Sequence, residues 1–363
     1  MSLAPDLLAT VMGDPAPSLA PTPRDVVLRD GTTRLLRFRG AVGQDGTSAA
    51  EPLRGQHQGG GAGLPLLLVP SIINKWYVLD LRAGSSLVEA LTAGGIDTFC
   101  IDWVGAEAED RHLTWDDLVG KVARAMRFVL RETGAPRVGL LGYCMGGTLA
   151  AIAAALAPSK VAGLVNLAGP IDFAQAGDLR HMVSPAWFDA EAIAGAGNIT
   201  ARQMQDGFAM LRPTLALSKW VGYLDRMHDP KQRLAFAALE AWSSDNVDFP
   251  AAAYVTYIEE LYQQNLLPRG EHHVAGKRVD LGRITCPVMS AVASHDTICP
   301  PAAAYALNDL SGSTDKTILT VTGGHVGAVV GSRAARELYP PMVAWWKKHL
   351  ATRPAAQETV LHN

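Results

Sequence analysis

Neither sign of charge dominates this chain: 32 Lys and Arg stand against 35 Asp and Glu, for a net charge of −3. A nucleic-acid partner needs a basic surface, so none is expected. Cysteine is sparse. Cys100, Cys144, Cys286 and Cys299 form no C-x-x-C pair and no disulfide framework, which suits a reducing cytoplasm. No run of 18 apolar residues occurs, so no membrane span is expected. No basic residue precedes Arg24, while Asp6 and Asp14 do, so a secretory signal is not expected either. Internal repeats are missing. The Gly-rich run 59–63 lacks the Gly-Lys-Ser/Thr of a phosphate cradle, and residues 40–63 are expected to form a mobile loop.

What remains is 363 residues, 48% of them hydrophobic. That is enough for one large α/β domain, or one carrying an insertion, with no need of staples. The stretch 137–151 organises it. A short apolar run turns sharply between Gly142 and Gly147 and continues as an Ala/Leu-rich helix. Cys144 stands at the apex of G-x-C-x-G, the nucleophile-elbow pattern with cysteine in place of serine. The flanking glycines answer a strained turn with no room for Cβ atoms. The Met145 N–H, at the helix start, can meet a developing oxyanion. A buried cysteine in a Gly-rich turn is the plainer alternative.

Strands and helices alternate on both sides of this elbow. The Ala/Pro-rich residues 1–22 are expected to be loose, with a short helix near 7–12. A hairpin is expected around Asp30-Gly31. Residues 64–69 are a buried strand, and the loop after it supplies the second oxyanion N–H, at Ile72. A helix is expected over 80–93, stopped by Gly94-Gly95. A strand over 96–101 ends at Asp102-Trp103. Thr114 and Asp117 make a capping-box start for the next helix. Further strands are expected at 161–167, 286–292 and 316–321, and a final helix at about 333–349. Strands that are hydrophobic throughout imply a mainly parallel, doubly wound sheet covered on both faces. Residues 23–171 and 286–350 then form the core, 172–285 a helical cap, and 351–363 a loose tail. Most bulky apolar residues of 172–285, among them Met182, Trp187, Met210 and Trp220, are expected in the cap's own core. A minority are expected along an acyl channel.

A thiol needs a base to become the attacking thiolate. Of ten histidines, His325 follows the last strand between glycine pairs that let its loop reach the elbow. His57, His272, His273 and His362 lie in polar stretches and are expected in solvent, and His295 is the rival base. Asp296 follows the strand that ends at Ala293, where this fold places its acid, with Asp172 as runner-up. Cys144, Asp296 and His325 keep the nucleophile–acid–base order. Cys286 and Cys299 are expected in the core. Cys299, His295 and His325 lack metal-ligand spacing, so no metal is expected.

The stretches 70–81, 101–103, 113–117, 142–148, 261–265, 276–281, 295–301 and 323–327 resemble the polyhydroxyalkanoate synthases. Ile73-Asn-Lys-Trp-Tyr-Val-Leu-Asp-Leu81 is the most specific of them. By length the chain is similar to the short catalytic subunit of the two-subunit type. The resemblance implies an α/β-hydrolase fold with a cap. It gives Cys144 the growing chain, His325 its activation and Asp296 an assisting role. Asn74, Tyr77, Trp103, Tyr143 and Val326, within or beside these stretches, are the substrate-binding candidates. The implied substrate is a 3-hydroxyacyl-CoA, with CoA a leaving group and no cofactor. The implied partners are the growing polyester, a second non-catalytic subunit and, where it forms, a homodimer, at the surface of storage granules. Two other readings stay open: a thioesterase or intracellular depolymerase on the same triad, and a non-catalytic granule scaffold.

Overall fold

The computed structural model describes residues 17–39, 63–211 and 228–351. The expected helix near 7–12, the Gly-rich loop, His57, Trp220, His362 and the tail lie outside them. Eight strands form one sheet: β1 (Arg24–Asp30), β2 (Thr33–Phe38), β3 (Leu66–Val69), β6 (Thr98–Asp102), β7 (Val138–Tyr143), β8 (Val161–Leu167), β11 (Val288–Ala293) and β12 (Lys316–Val321). Their order across the sheet is β1-β2-β6-β3-β7-β8-β11-β12. From β6 to β12 neighbours run parallel, and β1 and β2 add an antiparallel edge. The central strands are buried along their whole length, which is why they read as unbroken apolar runs. β12 instead alternates and leaves Ile318 55% exposed, because an edge strand is covered on one face only.

Two helices depart from expectation. The segment over 80–93 is helical only at Leu87–Ala93. Before it, β4 (Asp80–Arg82) and β5 (Ser85–Ser86) form a small hairpin that turns at Gly84 (φ +72°). The buried Asp80 carboxylate holds this turn, accepting from Ser86 Oγ and from the Thr22 N–H and hydroxyl. A carboxylate that must collect buried donors overrides a helical apolar pattern. The terminal helix is split into Ala334–Glu337 and Tyr339–Leu350. Pro340 and Pro341 lack an N–H, so they open a helix rather than continue one.

The helix Trp115–Thr133 has the expected start: Thr114 and Asp117 cap each other's backbone, and Gly134 (φ +67°) ends it. Between β8 and β11 the chain leaves the sheet. It forms the short helices Asp178–Met182, Ala190–Ala194, Ala201–Leu211, Pro230–Ser244 and Ala251–Thr256, a π-helical segment Tyr257–Gln263, and the hairpin β9 (His273–Val274) and β10 (Lys277–Arg278). Its contact with the core is polar as well as apolar. Asn74 bonds Asn246, and Tyr77 bonds Asp245. Within the insertion, Asn265 receives the Phe173 N–H and donates to Asp172. Trp187 and Met210 are 70% and 73% exposed, so neither belongs to a core within this insertion.

Candidate active site

The elbow lies at the C-terminal end of β7, between β3 and β8. Cys144 has φ 55° and ψ −128°, a backbone conformation that non-glycine residues avoid. The turn is held from both sides. The Cys144 N–H donates to Leu167 O, and Gly147 N–H to Cys144 O. A Cβ on Gly142 would come within 2.2 Å of Gly146 O, and one on Gly146 within 1.9 Å of Val69 O. The G-x-C-x-G spacing is thus a packing requirement: backbone from β3, β7 and the helix Met145–Leu156 meets where side chains do not fit.

The same close approach brings the loop after β3 over the elbow. Trp103 Nε1 donates to Pro70 O at 3.0 Å and fixes that loop. Ile72, two residues on, is buried against the core. Met145 opens its helix, and its N–H is one of the first-turn donors that no helical carbonyl can accept.

His325 sits in the loop after β12, and Asp296 in the loop after β11. Both loops end at one edge because β11 and β12 are parallel. His325 Nδ1 donates to Asp296 Oδ2 at 2.7 Å. The other carboxylate oxygen accepts the N–H groups of Ile298 and Cys299, each at 2.9 Å. The acid is therefore saturated with donors and cannot turn. His325 Nε2 is buried and has no hydrogen-bond partner of good geometry, leaving it facing the Cys144 thiol, whose charge acts on the ring. Burial pulls the imidazole pKa down. The Cys144 charge and the Asp296 hydrogen bond outweigh it and push the pKa up to about 10. Tyr143 stacks on the imidazole, with ring centroids 5.4 Å apart. Cys144, His325 and Asp296 are 9%, 8% and 5% exposed, so the group is closed to bulk water.

The rival residues are placed elsewhere. His295 is exposed and its Nδ1 is engaged with Ser294 Oγ. Asp172 caps a turn at Ala174 and accepts from Asn265, with no histidine bonded to it. His272, expected in solvent, is fully buried and bonds Glu260 at 2.8 Å. Its polar neighbours in the sequence hid the hairpin that packs it under the Trp115–Thr133 helix. His273 is exposed, and Cys286 and Cys299 are buried. No cluster of three or more His, Cys, Asp or Glu fit for a metal occurs among the described residues.

The substrate-binding candidates divide. Tyr143 contacts the catalytic imidazole, and Val326 follows it directly in chain. Trp103 pins the loop after β3. Asn74 and Tyr77 tie the core to residues 245–246 of the insertion. Sequence reasoning missed Tyr257 and Tyr262. Both phenols are buried, lie with ring centroids 5.3 Å apart, and have pKa values driven upward first by burial, with the Cys144 charge adding to it. Both phenols therefore stay protonated. A π-helical turn presents them, and its spacing departs from the helical period used to read the sequence.

Sheet, elbow and acid–histidine pair together define an α/β hydrolase, and that family's description, alpha/beta hydrolase fold, matches residues 63–332. A thermophilic esterase from Thermogutta terrifontis shares the fold with a TM-score of 0.52 at 16% identity, over 90% of this chain and 99% of that one. Within this class the chain is 34% identical over 288 residues to the poly(3-hydroxyalkanoate) polymerase subunit PhaC of Allochromatium vinosum, covering 78% of this chain and 80% of that protein. It is 32% identical over 339 residues to the same subunit of Haloferax mediterranei, covering 92% of this chain and 66% of that protein. The chain belongs to the poly(3-hydroxyalkanoate) polymerases, a family of acyltransferases.

Proposed function

We propose that the chain polymerises 3-hydroxyacyl-CoA, with 3-hydroxybutyryl-CoA as the first substrate to test, and releases CoA through a covalent acyl-Cys144. The observation that carries this reading is the buried relay of Cys144, His325 and Asp296 at a strained elbow. The Cys144 proton passes to His325 Nε2, and Sγ attacks the thioester carbonyl. The oxyanion meets the N–H groups of Met145 and Ile72. The tetrahedral adduct collapses, the C–S bond to CoA breaks, and the CoA sulfur takes the proton from His325. The hydroxyl of a monomer or chain end then gives its proton to His325, with Asp296 assisting, and attacks the acyl-enzyme carbonyl; the C–Sγ bond breaks, the ester is released, and Cys144 Sγ takes the proton back from His325.

A cysteine suits both transfers. Thioester to thioester is nearly thermoneutral, and thioester to oxoester is downhill. Water competes with the hydroxyl at the second step, so the site must be dry. The low exposure of Cys144 and His325 supports transfer over hydrolysis by a thioesterase or depolymerase. It also implies that the insertion opens to admit substrate. A second, non-catalytic subunit that binds only the open state raises its population by its differential affinity. The relatives are themselves named as subunits. The working place of such a complex is the surface of the polyester granule it makes.

Incubation with 3-hydroxybutyryl-CoA tests this. CoA release with formation of ester-linked polymer is expected, after a lag that a cognate second subunit shortens. Free 3-hydroxybutyrate in place of polymer would make the chain a thioesterase, and no CoA release at all would leave it a scaffold.

A further inference from the structure

The two edges of the large sheet are built differently. β1, at one end, carries Arg24, Asp25, Arg29 and Asp30, and its register with β2 breaks between Val26 and Leu28. Charge and a bulge are the usual guards of an open edge, because both hinder a further strand from pairing there. β12, at the other end, has neither along its middle. Its parallel register with β11 runs unbroken from Lys316 to Val321, it holds no proline, and its one charged residue is Lys316, at its start. Ile318, near its centre, is 55% exposed.

The hydrogen bonds to β11 fix which backbone groups of β12 face outward. The Val288 N–H donates to Asp315 O and the Ser294 N–H to Val321 O. Residues 315, 317, 319 and 321 therefore turn their N–H and C=O toward β11, since these groups alternate along a strand. Those of Lys316, Ile318 and Thr320 point away from the sheet and meet no hydrogen-bond partner among the described residues. A second β12 laid antiparallel on this edge must match outward residue to outward residue. The register that uses all three sets Ile318 opposite Ile318, on a two-fold axis, and Lys316 opposite Thr320. Charge follows the same symmetry. Lys316, the Asp315–Lys348 pair and Asp309 lie toward one end of the strand, Asp309 next to the Asn308 whose amide donates to Thr317 O. The other end holds Thr320 and Tyr305, whose hydroxyl meets Thr320 Oγ1 at 3.3 Å. Antiparallel pairing brings the charged end of one copy to the uncharged end of the other, so no charge faces its own equivalent. Two strands alone make a marginal contact. The helix Pro301–Leu310 is carried alongside β12, and its half-buried Tyr305 adds apolar area next to the axis.

We infer that the outer edge of β12 is a self-association surface, at which two copies of this chain join their sheets across a two-fold axis at Ile318. Sedimentation of the full chain over a concentration series tests this, with a dimer expected. Ile318→Lys sets like charges directly opposite each other and should weaken the dimer by about tenfold or more, as should Ile318→Glu. Mixing these two variants should restore the dimer, because a residue that pairs with itself then meets an opposite charge. Ile318→Pro removes an outward N–H and no bond to β11, so the chain should fold and the dimer dissociate. A chain that stays monomeric at every concentration overturns the inference. So does a dimer that survives both Ile318→Lys and Ile318→Pro, and so does a mixture of the charged variants that gives no rescue. Should the variants fail to fold, amide hydrogen exchange in the unsubstituted protein decides: the Ile318 amide should exchange more slowly as concentration rises. Fast exchange at every concentration overturns the surface. Slow exchange that is independent of concentration shows that the chain's own residues cover the edge, and overturns it equally.

Discussion

The elbow and the insertion draw on the same apolar residue types and use them in opposite ways. From Val138 to Ala155 every residue is buried, and backbone meets backbone so closely that glycine is required. The insertion joins the core through polar contacts, Asn74 to Asn246, Tyr77 to Asp245 and Trp242 to Lys75 O, and through buried Phe249 and Leu261, yet it leaves Trp187 and Met210 in solvent. One region is over-determined and can store strain at Cys144. The other is part buried and part in solvent.

The largest effect tests the strained side. Cys144→Ala should reduce CoA release to background in a thiol-release assay. Its unfolding free energy should change by less than about 1 kcal/mol, since a small apex side chain packs little. Undiminished CoA release would remove Cys144 from the mechanism. Next come its partners. His325→Ala should lose acyl-enzyme formation by about 10²-fold or more, the scale of a missing acid–base group. Asp296→Asn should still acylate but elongate poorly. Equal loss of acylation in both would refute this division. With Cys144 ionised, its charge and Asp296 push the His325 pKa up to about 10, so the pH profile of Cys144 alkylation should show its histidine limb near there. A limb near 6.5 would contradict the relay.

Gly146→Ala separates the regions by stability. A Cβ 1.9 Å from Val69 O cannot be absorbed by backbone, so about 3 kcal/mol or more should be lost in denaturant unfolding. A milder test falls on His272, which joins the β9–β10 hairpin to Glu260 of the insertion. Burial lowers its pKa against the opposing pull of Glu260. The unfolded chain therefore takes up the proton first. His272's contribution is present above the unfolded value of about 6.5 and is lost as pH falls below it. His272→Gln should flatten that part of the stability–pH curve, and an unchanged slope would show that other groups set it. The smallest effect belongs to the exposed side: Trp187→Ala should alter unfolding free energy by no more than about 0.5 kcal/mol. A larger loss would mean that this surface is covered in solution.

The fold and the catalytic residues were legible because each left a short-range mark. Strands buried on both faces read as unbroken apolar runs. The elbow reads as two glycines about a cysteine, since backbone clash admits nothing else. Thr114 and Asp117 announce their helix because a cap is local chemistry. The order Cys144, Asp296, His325 follows from strand order along the chain. Tertiary structure decided what depends on distant partners. The Asp80 carboxylate turned an expected helix into a hairpin because its donors, Ser86 and Thr22, gather only in the folded chain. His272 went inside because Glu260 lies across from it. Tyr257 and Tyr262 are buried side by side by a π-helical turn whose spacing no 3.6-residue pattern reports. Local sterics and capping are written in neighbouring residues. Charge, burial and hydrogen-bond satisfaction depend on what folding places alongside.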